Sequence, residues 1–199
     1  MNYTGPKVRL SRKLGVSLTP KADKFLEKKP YPPGMHGFRR RRRLSPYGTQ
    51  LIEKQRLRFQ YNISERQLRN YFRRATRRKG LTGETLLQSL ETRLDALVLR
   101  ARFARTVYQA RQVVAHRHIL VNGKIVKSPS YQVKPGDTIA VKEASRKLRS
   151  FNEGVLTTAI PPYLAVDDTG YTARLEYVPP RTEVPIVCDE HLVVEFYSR

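Results

Sequence analysis

Acidic side chains are scarce in this sequence: 17 aspartates and glutamates stand against 39 lysines and arginines, for a formal charge of +22. Cysteine is nearly absent too, and long apolar runs are missing. Each shortage excludes something. A single cysteine, Cys188, rules out an intramolecular disulfide and a cysteine cluster for zinc, in keeping with a reducing compartment. No stretch approaches the roughly 18 consecutive apolar residues of a membrane span. The opening MNYTGPKVRLSRK lacks the apolar centre of a secretory signal, so a cytoplasmic protein without membrane contact is expected. Neither G-x-x-x-x-G-K nor G-x-G-x-x-G occurs, which leaves nucleotide hydrolysis and dinucleotide binding unsupported. The histidines, His36, His116, His118 and His191, have no cysteine or carboxylate at metal-ligand spacing, so no metal and no cofactor is expected. Glu91 and Asp95, beside Arg93, read as surface ion-pairing or helix-start residues rather than a catalytic pair. The sequence therefore predicts neither an enzyme nor a small-molecule substrate.

What is present is positive charge, unevenly spread. Of the 39 basic residues, 36 precede residue 151, whereas residues 151–199 carry 3 against 8 acidic ones. Like charges destabilise a compact chain unless a partner neutralises them, and a nucleic acid does so while releasing condensed counterions. Arginine outnumbers lysine, and a guanidinium forks onto phosphate where an ammonium acts as a hydrated point charge.

Apolar residues make up 39% of the 199, enough for one modest core or two small ones. Residues 1–45 are basic and broken by glycine and proline, and read as an extended arm. Its cations include Lys7, Arg9, Arg12, Lys13, Arg39 and the run Arg40, Arg41, Arg42 and Arg43; Tyr31 and His36 lie among them. A helix is predicted from Ser45, with Pro46 in its first turn and Leu51, Gln55 and Arg58 at helical spacing; Lys54 lies on it. Ser64 and Gln67 form a capping-box pattern opening a second helix, in which Leu68, Tyr71 or Phe72, and Ala75 make a buried stripe. Arg66, Arg69, Arg73, Arg74, Arg77 and Arg78 then fall on the other face. One further helix is predicted from Thr82 through Leu86, Leu90, Leu94 and Leu97, and a shorter one after Thr106 and Gln109. Asn122-Gly123 between β-branched runs signals a hairpin, and Thr138–Val141 a third strand. The tail segments YLAV, YTARLEYV, EVPIV and LVVEFY read as short strands. The expectation is α+β: a helical domain at 46–90, a small helix-turn-helix plus β-hairpin module at 91–150, and a connecting segment with short strands at 151–174.

Ordered strings carry a resemblance. KPYPPGMHG at 29–37, EKQRLRFQY at 53–61, ISERQLRN at 63–70, TGETLLQSLETRLD at 82–95, QARQVVAHRHILVNG at 109–123 and LVVEFYSR at 192–199 resemble the bacterial-type family of small-subunit ribosomal protein number four. The resemblance implies a non-catalytic protein that binds small-subunit ribosomal RNA at a helix junction and acts early in assembly. It also implies a place where messenger RNA enters the small subunit, beside ribosomal proteins number five and number three, with a role in translational accuracy. Under it the residues after about 175 return to the domain at 46–90. The expected RNA contacts are the arm residues named above, Lys54, Arg58, the helical face at 66–77, and Arg105, Arg111, His116, Arg117, His118 and Lys124.

The sequence departs from that family in three places. Relatives with an N-terminal zinc site carry cysteines near Val8 and Ser11, and this chain has none. Val107 and Tyr108 stand where relatives often show two basic residues. Arg102 and Arg117 stand where relatives often have glycine. Three rivals share some features: an RNA-modifying enzyme such as a pseudouridine synthase carries the same small module, but too few residues are left here for its catalytic domain; a stand-alone RNA-binding stress or ribosome-rescue factor would explain the module but not its flanks; and a DNA-binding helix-turn-helix protein would explain the helix pair and the charge.

Overall fold

The computed structural model describes residues 3–39, 44–148, 151 and 159–198. The run Arg40 to Arg43 lies outside the described residues. The chain forms two compact units, one from Met1–Gly83 with Ile186–Arg199 and one from Glu84–Pro185.

In the first unit, the segment expected as an extended arm contains two helices, α1 (Lys7–Leu14) and α2 (Pro20–Lys28). Dense proline and glycine hid a short apolar stripe. Leu10, Leu14 and Leu18 form a small cluster against which Tyr3 and Phe59 pack. Ser11 fixes the turn after α1, its Oγ donating to Lys7 O at 3.0 Å and accepting from Leu18 N at 3.2 Å.

α3 (Pro46–Gln60) begins as the sequence predicts, Ser45 Oγ accepting from Gly48 N at 3.2 Å. Its inward positions, however, are Gln50, Glu53, Lys54 and Leu57. Apolar periodicity points elsewhere because three of these four are polar, and each finds a partner inside the unit. α4 (Glu65–Ala75) opens with the full capping box, Ser64 Oγ accepting from Gln67 N and Ser64 N donating to Gln67 Oε1. Leu68, Phe72 and Ala75 are buried, and Tyr71 is half-buried.

LVVEFY, expected as a strand, is α8 (Glu190–Tyr197). Its β-branched and aromatic content misleads. Asp189 decides the matter by accepting from His191 N at 3.0 Å and Leu192 N at 3.4 Å, which supplies the helix start. EVPIV keeps a strand-like alternation, with Val184, Ile186 and Cys188 buried, yet joins no sheet. The carboxamide of Gln60 stands in for a neighbouring strand by donating to Val187 O at 3.0 Å and accepting from Val187 N at 3.2 Å.

The predicted single helix from Thr82 is two, α5 (Thr82–Glu91) and α6 (Leu94–Arg100). Between them Arg93 is extended and pairs with Gln132 in an isolated bridge. Residues 129–133 satisfy the backbone there: Val133 N donates to Thr92 O, while Leu94 N and Asp95 N donate to Tyr131 O and Pro129 O. The leucine spacing runs on through the break, so periodicity alone misses it.

α7 (Val107–Ala115) starts at Thr106, whose Oγ1 accepts from Gln109 N at 3.2 Å. Gln109 Oε1 reaches one residue further back and takes Arg105 N at 2.8 Å. The hairpin of β1 (Ile119–Val121) and β2 (Lys124–Ile125) turns at Asn122-Gly123, with φ of 49° and 76°, as a two-residue turn of this kind requires. β3 (Thr138–Val141), β4 (Leu164–Val166) and β5 (Thr172–Leu175) complete an antiparallel sheet of order β2-β1-β3-β5-β4. The tail strands therefore extend the module's own sheet. Its core gathers Leu94, Leu97, Val98, Val113, Val114, Ile119, Ile139, Tyr163 and Leu175.

Candidate RNA interface

On α4 the apolar stripe faces in, leaving Arg66, Arg69, Arg73 and Arg74 exposed, with Arg77 exposed in the turn just after it. Asn70, Arg73, Arg74 and Arg77 line an open hollow of about 290 Å³. Among the described residues none of these five guanidiniums pairs with a carboxylate. The one acid of the helix is Glu65, and it is occupied. Its carboxylate accepts from Lys54 Nζ at 2.8 Å and from Tyr197 Oη at 2.7 Å, with an Arg58 nitrogen 4.0 Å away. Burial alone would raise the Glu65 carboxyl, but the hydrogen bonds from Lys54 and Tyr197, with the charges of Lys54 and Arg58, hold it below its ordinary value. Burial, followed by the hydrogen bond to Glu65 and its charge, pushes the Tyr197 phenol up. α4 thus presents concentrated positive potential uncancelled by its own acid.

Two residues expected on RNA are spent inside. Lys54 is 4% exposed and its ammonium lies 4.7 Å from the Phe196 ring centre; Arg58 lies over Phe59 at 4.2 Å. In the N-terminal segment Arg9, Lys13, His36 and Arg39 are exposed, while Lys7 and Tyr31 are half-buried. Arg12 turns inward. Its Nε donates to Lys29 O at 3.3 Å and Tyr31 O at 3.2 Å, its Nη2 to Pro32 O at 3.4 Å, and its guanidinium lies 5.0 Å over the Tyr31 ring.

In the second unit Arg105, His116, Arg117 and Lys124 are exposed. Arg117 has φ of 65°, a left-handed stop after α7 that glycine would fill without strain. His118 is half-buried, its Nδ1 2.9 Å from Ser145 Oγ, and burial, then the nearby His116 and Lys142, push its pKa down. Neutral His118 is therefore a weak phosphate ligand. Arg111 is half-buried and sits 3.7 Å from Asp95. Arg78, read from the sequence as part of this face, and Lys79, which was not, are also exposed beyond the end of α4; the string RRKG was the available signal for Lys79.

The carboxylates read as surface groups are buried. Arg93, 0% exposed, forks onto Asp95 at 2.9 and 2.6 Å. Burial pushes the Asp95 carboxyl up against the opposing charges of Arg93 and Arg111. Glu91 accepts from Arg100 Nε at 2.5 Å and from Tyr163 Oη at 2.7 Å. Each carboxylate is saturated by arginine, which suits bracing rather than proton transfer. Among the described residues no group of three or more His, Cys, Asp or Glu side chains is placed to hold a metal, and no helix is long and apolar enough to cross a membrane.

Comparison with known proteins matches residues 2–91 to the Ribosomal protein S4/S9 N-terminal domain and residues 92–139 to the S4 domain. Small ribosomal subunit protein uS4 of Micrococcus luteus is 54% identical over 198 residues, covering 96% of this chain and 95% of the relative. The uS4 proteins of Streptomyces avermitilis and Leifsonia xyli are 52% and 53% identical, covering 100% and 96% of this chain and 99% and 96% of theirs. The chain belongs to the uS4 family. Membership makes it a structural protein of the small ribosomal subunit, not an enzyme. The two uS4 domain matches meet between residues 91 and 92, where α5 ends.

Proposed function

We propose that the chain binds small-subunit ribosomal RNA where several RNA helices meet, acts early in subunit assembly, and reads phosphate positions and shape rather than base sequence. The A-form major groove is too deep and narrow for side chains to read, so contacts fall on backbone and irregular regions. One observation carries this reading: α4 and the turn after it expose Arg66, Arg69, Arg73, Arg74 and Arg77, while the helix's only acid is turned onto Lys54 and Tyr197. Arg9, Lys13, His36 and Arg39 in the first unit, and Arg105, Arg117 and Lys124 in the second, add contacts of their own. Residues 46–90, with the segment that returns after the small module, act as one RNA-binding domain and residues 91–150 as another.

Finer neighbours rest on the family resemblance: messenger RNA where it enters the subunit, and ribosomal proteins number five and three, on cytoplasmic ribosomes. The excess of acid after residue 150 supports protein rather than RNA contact by that region. Site-directed crosslinking from Asp168 in purified small subunits tests this; crosslinks to RNA alone would refute it.

Binding of the full chain to small-subunit ribosomal RNA and to duplex DNA, followed across a salt series, tests the main proposal. Ribosomal RNA is expected to bind more tightly at every salt concentration. Arg73→Ala with Arg77→Ala is expected to flatten the slope of log affinity against log salt by about 1–2 units, at ~0.7–0.9 per phosphate contact. An unchanged slope would remove the α4 face from the interface.

A further inference from the structure

The loop 29–39 has a fixed backbone and an apolar tip. Arg12 ties it to α1 through the three carbonyl contacts and the stacking on Tyr31. Gly37 packs so closely that an added Cβ would lie 1.9 Å from Pro32 O, and Gly37 N donates to Gly34 O at 3.1 Å. None of this fixing buries the tip. Met35 is 78% exposed and Phe38 is 70% exposed, with the exposed His36 and Arg39 interleaved. Single exposed apolar side chains are ordinary on protein surfaces. What sets this pair apart is that a cation is used on carbonyls, and a glycine is required, to hold in water a loop whose largest apolar groups reach no core.

We propose that Phe38 is a stacking platform for an unpaired base of RNA, and that Arg12 is the residue that positions the loop carrying it. The proposal rests on the ribosomal RNA reading above. The chemistry is matched on three sides: a flat aromatic face for any base, an adjacent imidazole and guanidinium for the flanking phosphates, and a backbone already ordered, so that little entropy is lost on binding. Pro32, Met35, His36 and Arg39 line an open hollow of about 610 Å³ in the same loop, with room for part of a nucleotide.

The chain contains no tryptophan, so Phe38→Trp introduces a single reporter. In the full chain, emission from this variant is expected to be quenched by small-subunit ribosomal RNA and unaffected by a long blunt RNA duplex. Phe38→Ala, which removes no charge and no core contact, is expected to weaken binding to the same ribosomal RNA about 5- to 150-fold, the range of a single base–aromatic stack. Its salt slope should be unchanged. Arg12→Gln in the Phe38→Trp background is expected to reduce the quenching at saturating RNA, again at constant slope. Wild-type affinity in Phe38→Ala, or unquenched emission from Phe38→Trp while filter binding reports complex, would overturn the stacking site without touching the ribosomal RNA reading. A slope lowered by about 0.7–0.9 in Arg12→Gln would make Arg12 a phosphate contact and overturn its positioning role. Absence of binding by the wild-type chain would instead sink the parent reading.

Discussion

Tyr197 donates its phenolic hydrogen to Glu65 Oε1 at 2.7 Å, joining the last turn of α8 to the first turn of α4. Phe72 packs 5.0 Å from the same tyrosine ring, so an apolar and a polar contact act together at this junction. Tyr197→Phe keeps the first and deletes the second. It is expected to cost about 1.5–3 kcal/mol, as for a hydrogen bond to a charged acceptor, read from the denaturant midpoint. The salt slope of RNA binding should not move, because no guanidinium is removed.

Acid should loosen the same junction. The folded-state pKa of Glu65 lies below its ordinary value of 4.5, so its ionised form is preferred by the folded chain. The stability this gives is complete above the ordinary value and is lost as pH falls below it, through the folded pKa. Urea midpoints at neutral pH and at about pH 3 should therefore converge between the wild type and Glu65→Gln on the acid side. A constant difference between the two would disprove the coupling.

Asp95 presents a harsher case. Its carboxylate is buried among Arg93, Arg111 and the Ala96 amide, and removing it leaves the fully buried Arg93 guanidinium without its paired carboxylate. Asp95→Ala is expected to destabilise the second unit by about 3–5 kcal/mol, measured by thermal unfolding. A loss below about 1 kcal/mol would mean that Arg93 finds other acceptors.

Arg117 should give opposite signs in two assays. Its left-handed backbone costs an L-residue about 1 kcal/mol, and its side chain is exposed. Arg117→Gly is expected to leave folding stability unchanged or raise it by up to about 1 kcal/mol, while lowering the RNA salt slope by about 0.7–0.9. A stable variant with an unaltered slope would show the arginine to be incidental to binding.

The sequence made legible those features that a few neighbouring residues decide. Ser64 with Gln67, Thr106 with Gln109, Pro46, and Asn122-Gly123 each fix their own local backbone, and each appears where the pattern placed it. The arginine face of α4 was legible for the same reason, since Leu68, Phe72 and Ala75 define its back. What escaped depends on distant partners. The break at Arg93 exists because residues 129–133 take up the backbone of 92–95. Lys54 and Gln50 turn inward because Glu65 and Glu195 wait for them. α8 reads as a strand until Asp189 is weighed as its cap. Glu91 and Asp95 look like surface acids until the arginines that surround them are brought near by folding.

The return of the chain at Ile186 has a consequence for biosynthesis. Gln50, Glu53, Gln60 and Glu65 await partners at Glu195, Asp189, Val187 and Tyr197, all translated after the whole of the second unit. A nascent polypeptide leaves the exit tunnel N-terminus first. The portion made earlier is consequently completed later, and its arginine-rich helix keeps its rear face unsealed until residues 187–197 have followed the second unit out.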